Sequence, residues 1–282
     1  MKLFEFHPHP NLPASRARRL LLTAFLLFAG PACEAHDFWI EPDSFTVVSG
    51  QPVVLSLREG VDFEGVSLGY NPGWFRDFSY VDRRGRRPVR SLTGDDPAAM
   101  LEIAGDSTII GYYSNRNLTE LDRETFSRYI EEEGLEYIQD TIAELPDDAP
   151  IPEFFVRCAK ASLTSSTQDS ELYRYAFGYP LEIIPAVDPG KLKPGERLRV
   201  QVFFRNAPAA GLLLQAQAKS NPENILKIRT DQEGFAEIII ADAGVWLLKV
   251  VKIQSIIGSP QATLQSFWAS YVFNAGGHNL DD

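Results

Sequence analysis

From residue 36 to residue 114 apolar and polar residues alternate in short bursts. "DSFTVVSG", "QPVVLSLREG", "FRDFSYVDRRGRRPV" and "AAMLEIAGDSTIIGYYS" tend to place an apolar side chain at every second position, between turns of Gly, Asp and Arg-Gly. A period of two buries one face of a strand, and short strands at this spacing predict a β-sandwich. "VDFEGVSLGYNPGWF" interrupts the alternation and reads as a loop or a distorted edge. At Leu118 the period lengthens. Leu121, Phe126, Tyr129 and Ile130, then Leu135, Ile138, Ile142 and Leu145, follow helical spacing, with Gly134 dividing two short helices and Pro146 ending the second. After Pro150 and Pro152, "EFFVRCAKASL" reads as a third helix, and "TSSTQDS" as a flexible connection. The period of two then returns in seven runs: "LEIIPA", "RLRVQVFFR", "GLLLQAQAK", "ILKIRT", "FAEIIIA", "VWLLKVVKI" and "SFWASYVFNA". That number of short strands is what an immunoglobulin-like sandwich needs.

The pattern predicts a mainly β protein: two immunoglobulin-like β-sandwich units with a short helical insertion between them. The boundaries expected are an N-terminal sandwich over 36–117, a helical insertion and linker over 118–170, a C-terminal sandwich over 171–276 and a flexible tail over 277–282.

Residues 1–35 do not belong to this scheme. Arg16, Arg18 and Arg19 precede "LLLTAFLLFAGPA", an apolar run too short to span a bilayer comfortably, which is the layout of a signal peptide. Cys33 and Ala35 are the small residues before a cut at His36. A cut after Ala32 competes with it, and lipid attachment at Cys33 is a weaker third option. The expectation is therefore export, to the periplasm or the extracellular space. The leader carries Lys2 and three arginines against Glu5 and Glu34, so its removal deepens the formal charge of −11 by about two. A chain this acidic repels phosphate backbones and anionic lipid, which argues against nucleic acid and membrane surfaces as partners. Cys158 is the one thiol after residue 35, so an intramolecular disulfide is excluded there, and no later run is apolar and long enough for a transmembrane helix.

"AHDFWIEP", "FSRYIEEEGL", "RCAKASL", "PLEIIPAVDP", "TDQEGFAEI", "GVWLLKVV" and "SFWASYVF" resemble, in order, the motifs of the domain-of-unknown-function 4198 family, exported bacterial proteins described as nickel or cobalt uptake components of the periplasm. The resemblance covers nearly all of the chain after residue 35. It implies handling of a divalent transition metal, and a metal-uptake transporter or envelope protein as partner. It also implies a His-Met pair after the segment like "GVWLLKVV" and an acidic residue before the one like "SFWAS". Lys252, Ile253 and Thr263 stand there instead, and a lysine cation does not ligate metal as a neutral imidazole does.

The residues themselves supply little reactive chemistry. G-x-S-x-G, H-E-x-x-H, C-x-x-C and Gly-rich phosphate loops are missing, which argues against an enzyme. Cys158 reads as a buried, inert thiol. "TDQEG" lacks the ligands of a calcium loop and reads as a strand turn with Gly234 at positive φ. Phe38, Trp39, Trp246 and Trp268 read as sandwich core, with a glycan platform as the alternative. Arg83, Arg84, Arg86, Arg87 and Arg90 gather in one hairpin, as a solvated turn or a surface for an acidic partner. The remaining candidates are His36 and His278. A mature chain starting at His36 offers an amine and an imidazole on one residue, and His278 in "NAGGHNLDD" offers a third nitrogen, a set suited to copper, nickel or zinc. The function these features suggest is an exported, non-enzymatic binding or accessory protein, possible cargo being a divalent transition metal. The alternative is a structural or adhesive envelope module that recognises glycan or protein.

Overall fold

The first half forms nine strands: β1 (Asp37–Pro42), β2 (Thr46–Val47), β3 (Pro52–Val61), β4 (Glu64–Leu68), β5 (Phe75–Asp82), β6 (Gly85–Pro88), β7 (Ala99–Glu102), β8 (Thr108–Ser114) and β9 (Asn117–Leu121), of which β4 lies in the stretch expected to be a loop or distorted edge and β9 where helical spacing was expected to begin. Two short helices follow, α1 (Arg123–Glu132) and α2 (Gln139–Ala143), and then the long strand β10 (Ile151–Ser165). The second half contains β11 (Leu181–Pro185), β12 (Arg197–Phe204), β13 (Ala207–Pro208), β14 (Leu213–Ala218), β15 (Asn221–Arg229), β16 (Phe235–Ile239), β17 (Gly244–Ser255) and β18 (Leu264–Ala275). The computed structural model describes residues 36–48, 50–103, 107–146, 149–165 and 170–276, within the compact unit Cys33–Asp282. The leader with Cys33, positions 166–169 of the connector, and the tail with His278 lie outside the described residues.

All seven runs of the second half form strands, and the fold is mainly β as the pattern requires. Two short helices also form within the stretch of helical spacing, although Leu121 belongs to β9, Leu135 and Ile138 precede α2, and Leu145 follows it. Asp122 caps α1 by accepting the Thr125 N–H at 2.8 Å, and Gly134 ends it at φ +66°, where a Cβ would also meet the Leu213 side chain at 2.8 Å. The third helix does not exist. Residues 153–163 lie in β10, which pairs in parallel with β18 and antiparallel with β8 and β9. Its side chains alternate between two cores, Ala159, Ala161 and Leu163 on one side and Val156 and Cys158 on the other. A strand buried on both faces reads as an unbroken apolar run, and with Ala and Lys in it the run imitates a helix.

That strand explains the architecture. The two halves share one ten-stranded sheet, ordered β15-β14-β17-β18-β10-β8-β5-β6, with β2 and β9 also pairing to β10. One face of its β5-β8-β10 region packs against the four-stranded sheet of β1, β3, β4 and β7, closing a core around Ile40, Leu55, Phe78 and Tyr112. The opposite face of β14-β17-β18 packs against β11, β12, β13 and β16, with Leu181, Val200, Leu248 and Tyr271 between them. The helices cover β17 and β18 through Phe126, Ile130, Val251 and Leu264. β1 ties the layers together. Trp39 is fully buried against Phe63, Leu247 and Val272, while Phe38 and Ile40 on its other side enter the N-terminal core.

Candidate functional site

His36 precedes β1 and lines an open groove of about 650 Å³ with Glu59, Asp62, Glu64 and Val66 of the β3–β4 hairpin. The hairpin turns through Asp62 and Phe63, both at positive φ (54° and 61°), the conformation of a tight two-residue turn. Gly60 and Gly65 let its strands close, because a Cβ on Gly60 would lie 1.9 Å from the Glu64 carbonyl oxygen. Burial alone would raise the Glu59 pKa, but the hydrogen bond and charge of Arg157, with a contribution from His36, hold it below the usual carboxylate value. Among the described residues no three His, Cys, Asp or Glu side chains converge as metal ligands. His278, the second proposed ligand, lies outside the described residues.

The reactive side chains of the interior are engaged in holding the fold. Lys249 of β17 reaches Asp37 at 2.9 Å and Glu133 at 3.2 Å, so the Asp of "HDFWIEP" is a counter-ion that anchors β1 to the central sheet. Burial pushes the Glu133 carboxyl up, with Asp37 adding to the effect and Lys249 opposing it. Burial would depress Lys249, yet its two carboxylates hold it well above its ordinary value. On the opposite face Lys160 meets Glu182 at 3.1 Å, and Glu182 also accepts the N–H groups of Phe177 and Tyr179. Burial lowers the Lys160 pKa against the pull of Glu182. Beneath α1, Glu153 accepts hydrogen bonds from Ser266 and, at 3.5 Å, Tyr129, while its Oε2 has no partner. Burial drives its pKa up to about 7 against those bonds. Cys158 is buried, and desolvation raises its thiol to about 12, so it is the inert thiol expected. The aromatic residues also serve the core: Phe38, Trp39 and Trp246 are buried, and Trp268 stacks on Tyr129 at 5.3 Å. Asp231 accepts the N–H groups of Glu233 and Phe235 in a turn closed by Gly234 at φ +77°, as the sequence suggests.

The hairpin arginines are in part paired. Arg86 contacts Asp77 at 2.7 Å, and Arg87 bonds the buried Asp82. A different set of arginines converges on a pocket of about 380 Å³ at the junction of the two halves. Arg76 comes from β5, Arg116 from the β8–β9 turn and Arg205 from the β12–β13 turn, with Tyr113, Tyr179 and Phe267 among the lining aromatics. Each guanidinium rests near a ring: Arg76 5.6 Å from Tyr113, Arg116 4.2 Å from Phe154, and Arg205 4.9 Å from Phe204. Sequence reading missed this set, because positions 76, 116 and 205 share no local motif. The one available signal was a Phe immediately before Arg76 and before Arg205; Arg116, between Asn115 and Asn117, carried none.

A family model described as "Domain of unknown function (DUF4198)" matches residues 33–254. No curated protein matches the chain. Among solved structures, the D0-D1 domain of intimin aligns over 84% of this chain and 97% of its own, at 10% identity and a TM-score of 0.21. The tetra-tandem repeat in the extending region of a large adhesion protein aligns over 86% of this chain and 50% of its own, at 9% identity and a TM-score of 0.20. Superpositions this loose bear on neither fold nor function. By its family match, the chain belongs to the DUF4198 family of domains of unknown function.

Proposed function

We propose that the protein is an exported, non-enzymatic binding or accessory protein of the periplasm or extracellular space. The supporting observation is a division of labour among polar groups. Glu153, Lys160, Cys158 and Lys249, which have the chemistry for catalysis, sit inside the layers, with Lys160 and Lys249 engaged by buried carboxylates and Glu153 bonded to Ser266. The arginine pocket opens to solvent, and its guanidinium groups contact rings rather than counter-ions. Its titratable side chains besides the arginines are Tyr113 and Tyr179, whose phenols burial keeps protonated, and a site that offers charge and shape without a base or nucleophile recognises a ligand and does not transform it. The test is incubation of the purified protein with a broad panel of small metabolites, followed by mass spectrometry of both protein-bound and released compounds. Recovery of an unchanged ligand supports the reading; catalytic conversion of a panel member refutes it.

A second reading, divalent-metal handling with delivery to an uptake transporter, draws on the family resemblance and on His36 sharing a groove with Glu59, Asp62 and Glu64. It requires cleavage after Ala35, so that the His36 amine joins its imidazole as a ligand. Calorimetry with nickel, cobalt, copper and zinc tests it. Binding should weaken as pH falls, because protons compete with the metal for the amine and imidazole nitrogens, and should vanish when one Ala is added before His36. Tight binding that survives the added Ala would place the metal elsewhere.

A further inference from the structure

We infer that the pocket between Arg76, Arg116 and Arg205 binds a small organic polyanion carrying two or more carboxylate or phosphoryl groups. This inference rests on the binding-protein reading above and names the ligand class of the same pocket.

The first argument is charge. Among the described residues none of these three arginines has a carboxylate within ion-pair distance, in a protein whose formal charge is −11 and which therefore has acidic groups in excess. Two carboxylates close in sequence to lining residues of the pocket are already occupied. Asp77, next to Arg76, accepts from Arg86 at 2.7 Å, from Ser79 at 2.9 Å and from Tyr179. Glu182, on the strand after Tyr179, is held by Lys160 and two backbone N–H groups. Lys252 adds a further positive charge nearby; its Nζ lies 5.1 Å from the Phe204 ring on which Arg205 also rests. Burial lowers the Lys252 pKa and the Arg205 charge lowers it further, the direction expected of cations crowded together.

The second argument is geometry. A guanidinium laid near an aromatic ring keeps its edge N–H groups available, and its planar fork fits the two oxygens of a carboxylate or phosphoryl group. Arg205 and Asn206 form a turn at φ 51° and 65°, a conformation residues other than glycine adopt at a cost, and it puts both side chains at the mouth of the pocket. Gln265 supplies a further amide from β18. The volume of about 380 Å³ lies within the usual range of about 300–1,000 Å³ for organic ligands and exceeds what one inorganic ion fills. Three separated positive charges in that space call for a ligand whose negative charges are spread over more than one group.

The test is calorimetry of the purified protein at low ionic strength with citrate, a tricarboxylate, and with inorganic pyrophosphate, using glucose and spermidine as neutral and cationic controls. One or both anions should bind, with affinity falling as salt is added, and the stronger of the two identifies carboxylate or phosphoryl as the preferred group. Arg205→Gln and the double variant Arg76→Gln/Arg116→Gln should each weaken binding about tenfold or more, as expected for charge-assisted hydrogen bonds. All three side chains are exposed, so the variants should keep the parent's thermal melt, and an unchanged melt certifies the comparison. If neither anion binds at about 10 mM, a concentration that saturates a site of Kd about 1 mM, the inference is wrong. It is equally wrong if binding persists undiminished in Arg76→Gln/Arg116→Gln/Arg205→Gln. Binding of glucose or a metal with no response to the anions removes the polyanion and leaves the binding-protein reading standing. Conversion of a bound anion removes that reading and leaves the pocket.

Discussion

Glu153→Gln tests whether an uncharged carboxyl is sealed under α1. In the wild type Glu153 is 2% exposed, accepts from Ser266 and Tyr129 on one oxygen, and leaves the other without a partner. Burial moves its pKa from 4.5 to about 7. Because the folded-state pKa lies above the unfolded one, the native state holds the proton more tightly, and ionisation above the folded pKa costs stability. At 1.36 kcal/mol per pH unit that cost comes to about 3 kcal/mol; it is absent below pH 4.5 and complete above about 7. Glutamine cannot ionise, so the variant escapes the penalty. Its amide also carries a constant cost of about 1–3 kcal/mol, since its NH2 would occupy the position of the unpartnered oxygen. The quantity to read is therefore the change in ΔΔG with pH. Urea unfolding of both proteins at pH 4.5 and pH 8 should show the variant gaining about 3 kcal/mol on the wild type between the two. A ΔΔG constant to within about 1 kcal/mol would refute the reasoning, because it would mean that the pair Ser266 and Tyr129 stabilises the carboxylate as well as water does.

Lys249→Met leaves Asp37 and Glu133 buried without their shared cation and should cost about 3–5 kcal/mol at pH 7 by chemical unfolding, with a smaller loss in acid, where Glu133, its pKa raised by burial, takes up a proton. Trp39→Ala should cost about 3–5 kcal/mol through the cavity left against Leu247 and Val272, and Trp39→Phe much less, because the indole N–H has no hydrogen-bond partner to lose. Cys158, buried and raised to about 12, should resist thiol reagents in the native protein and react only as fast as the protein unfolds, which a labelling time course in increasing urea measures.

Strands with one wet face were legible by their period, and β17 and β18, buried on both faces, were legible by their β-branched and aromatic runs, whereas β10 was not. β12, "RLRVQVFF", alternates exposed and buried residues because one face meets solvent, and its period announces it. β10 carries the same period in space, but both faces meet a core, so Phe154, Val156 and Cys158 on one side interleave with Phe155, Ala159 and Ala161 on the other and the alternation vanishes from the text. β1 hides a different partner. Its Asp, placed beside a candidate metal ligand, is the partner of Lys249 more than 200 positions away, and that lysine's isolation in "VWLLKVV" was the available sign of a buried ion pair.

The shared sheet also accounts for the pocket. Two independent sandwiches joined by a linker would carry their turns on separate surfaces, and Arg116 and Arg205, 89 positions apart, would meet only by chance of docking. Here β10 pairs with β18 on one side and with β8 and β9 on the other, so the sheet is continuous across the halves. Arg116 leaves the sheet at the β8–β9 turn, Gln265 stands on β18, and the facing layer brings the β12–β13 turn with Arg205 over the same region. Phe204 packs edge-on to Phe267 of β18 at 5.1 Å, which fixes that turn against the sheet. Tyr179, stacked at 5.1 Å on Phe177 and bonded to Asp77 of β5, fixes the adjoining segment in the same way. The guanidinium groups are thus held apart by a framework whose stability does not depend on them, which is what a site needs if it is to hold like charges together before a ligand arrives.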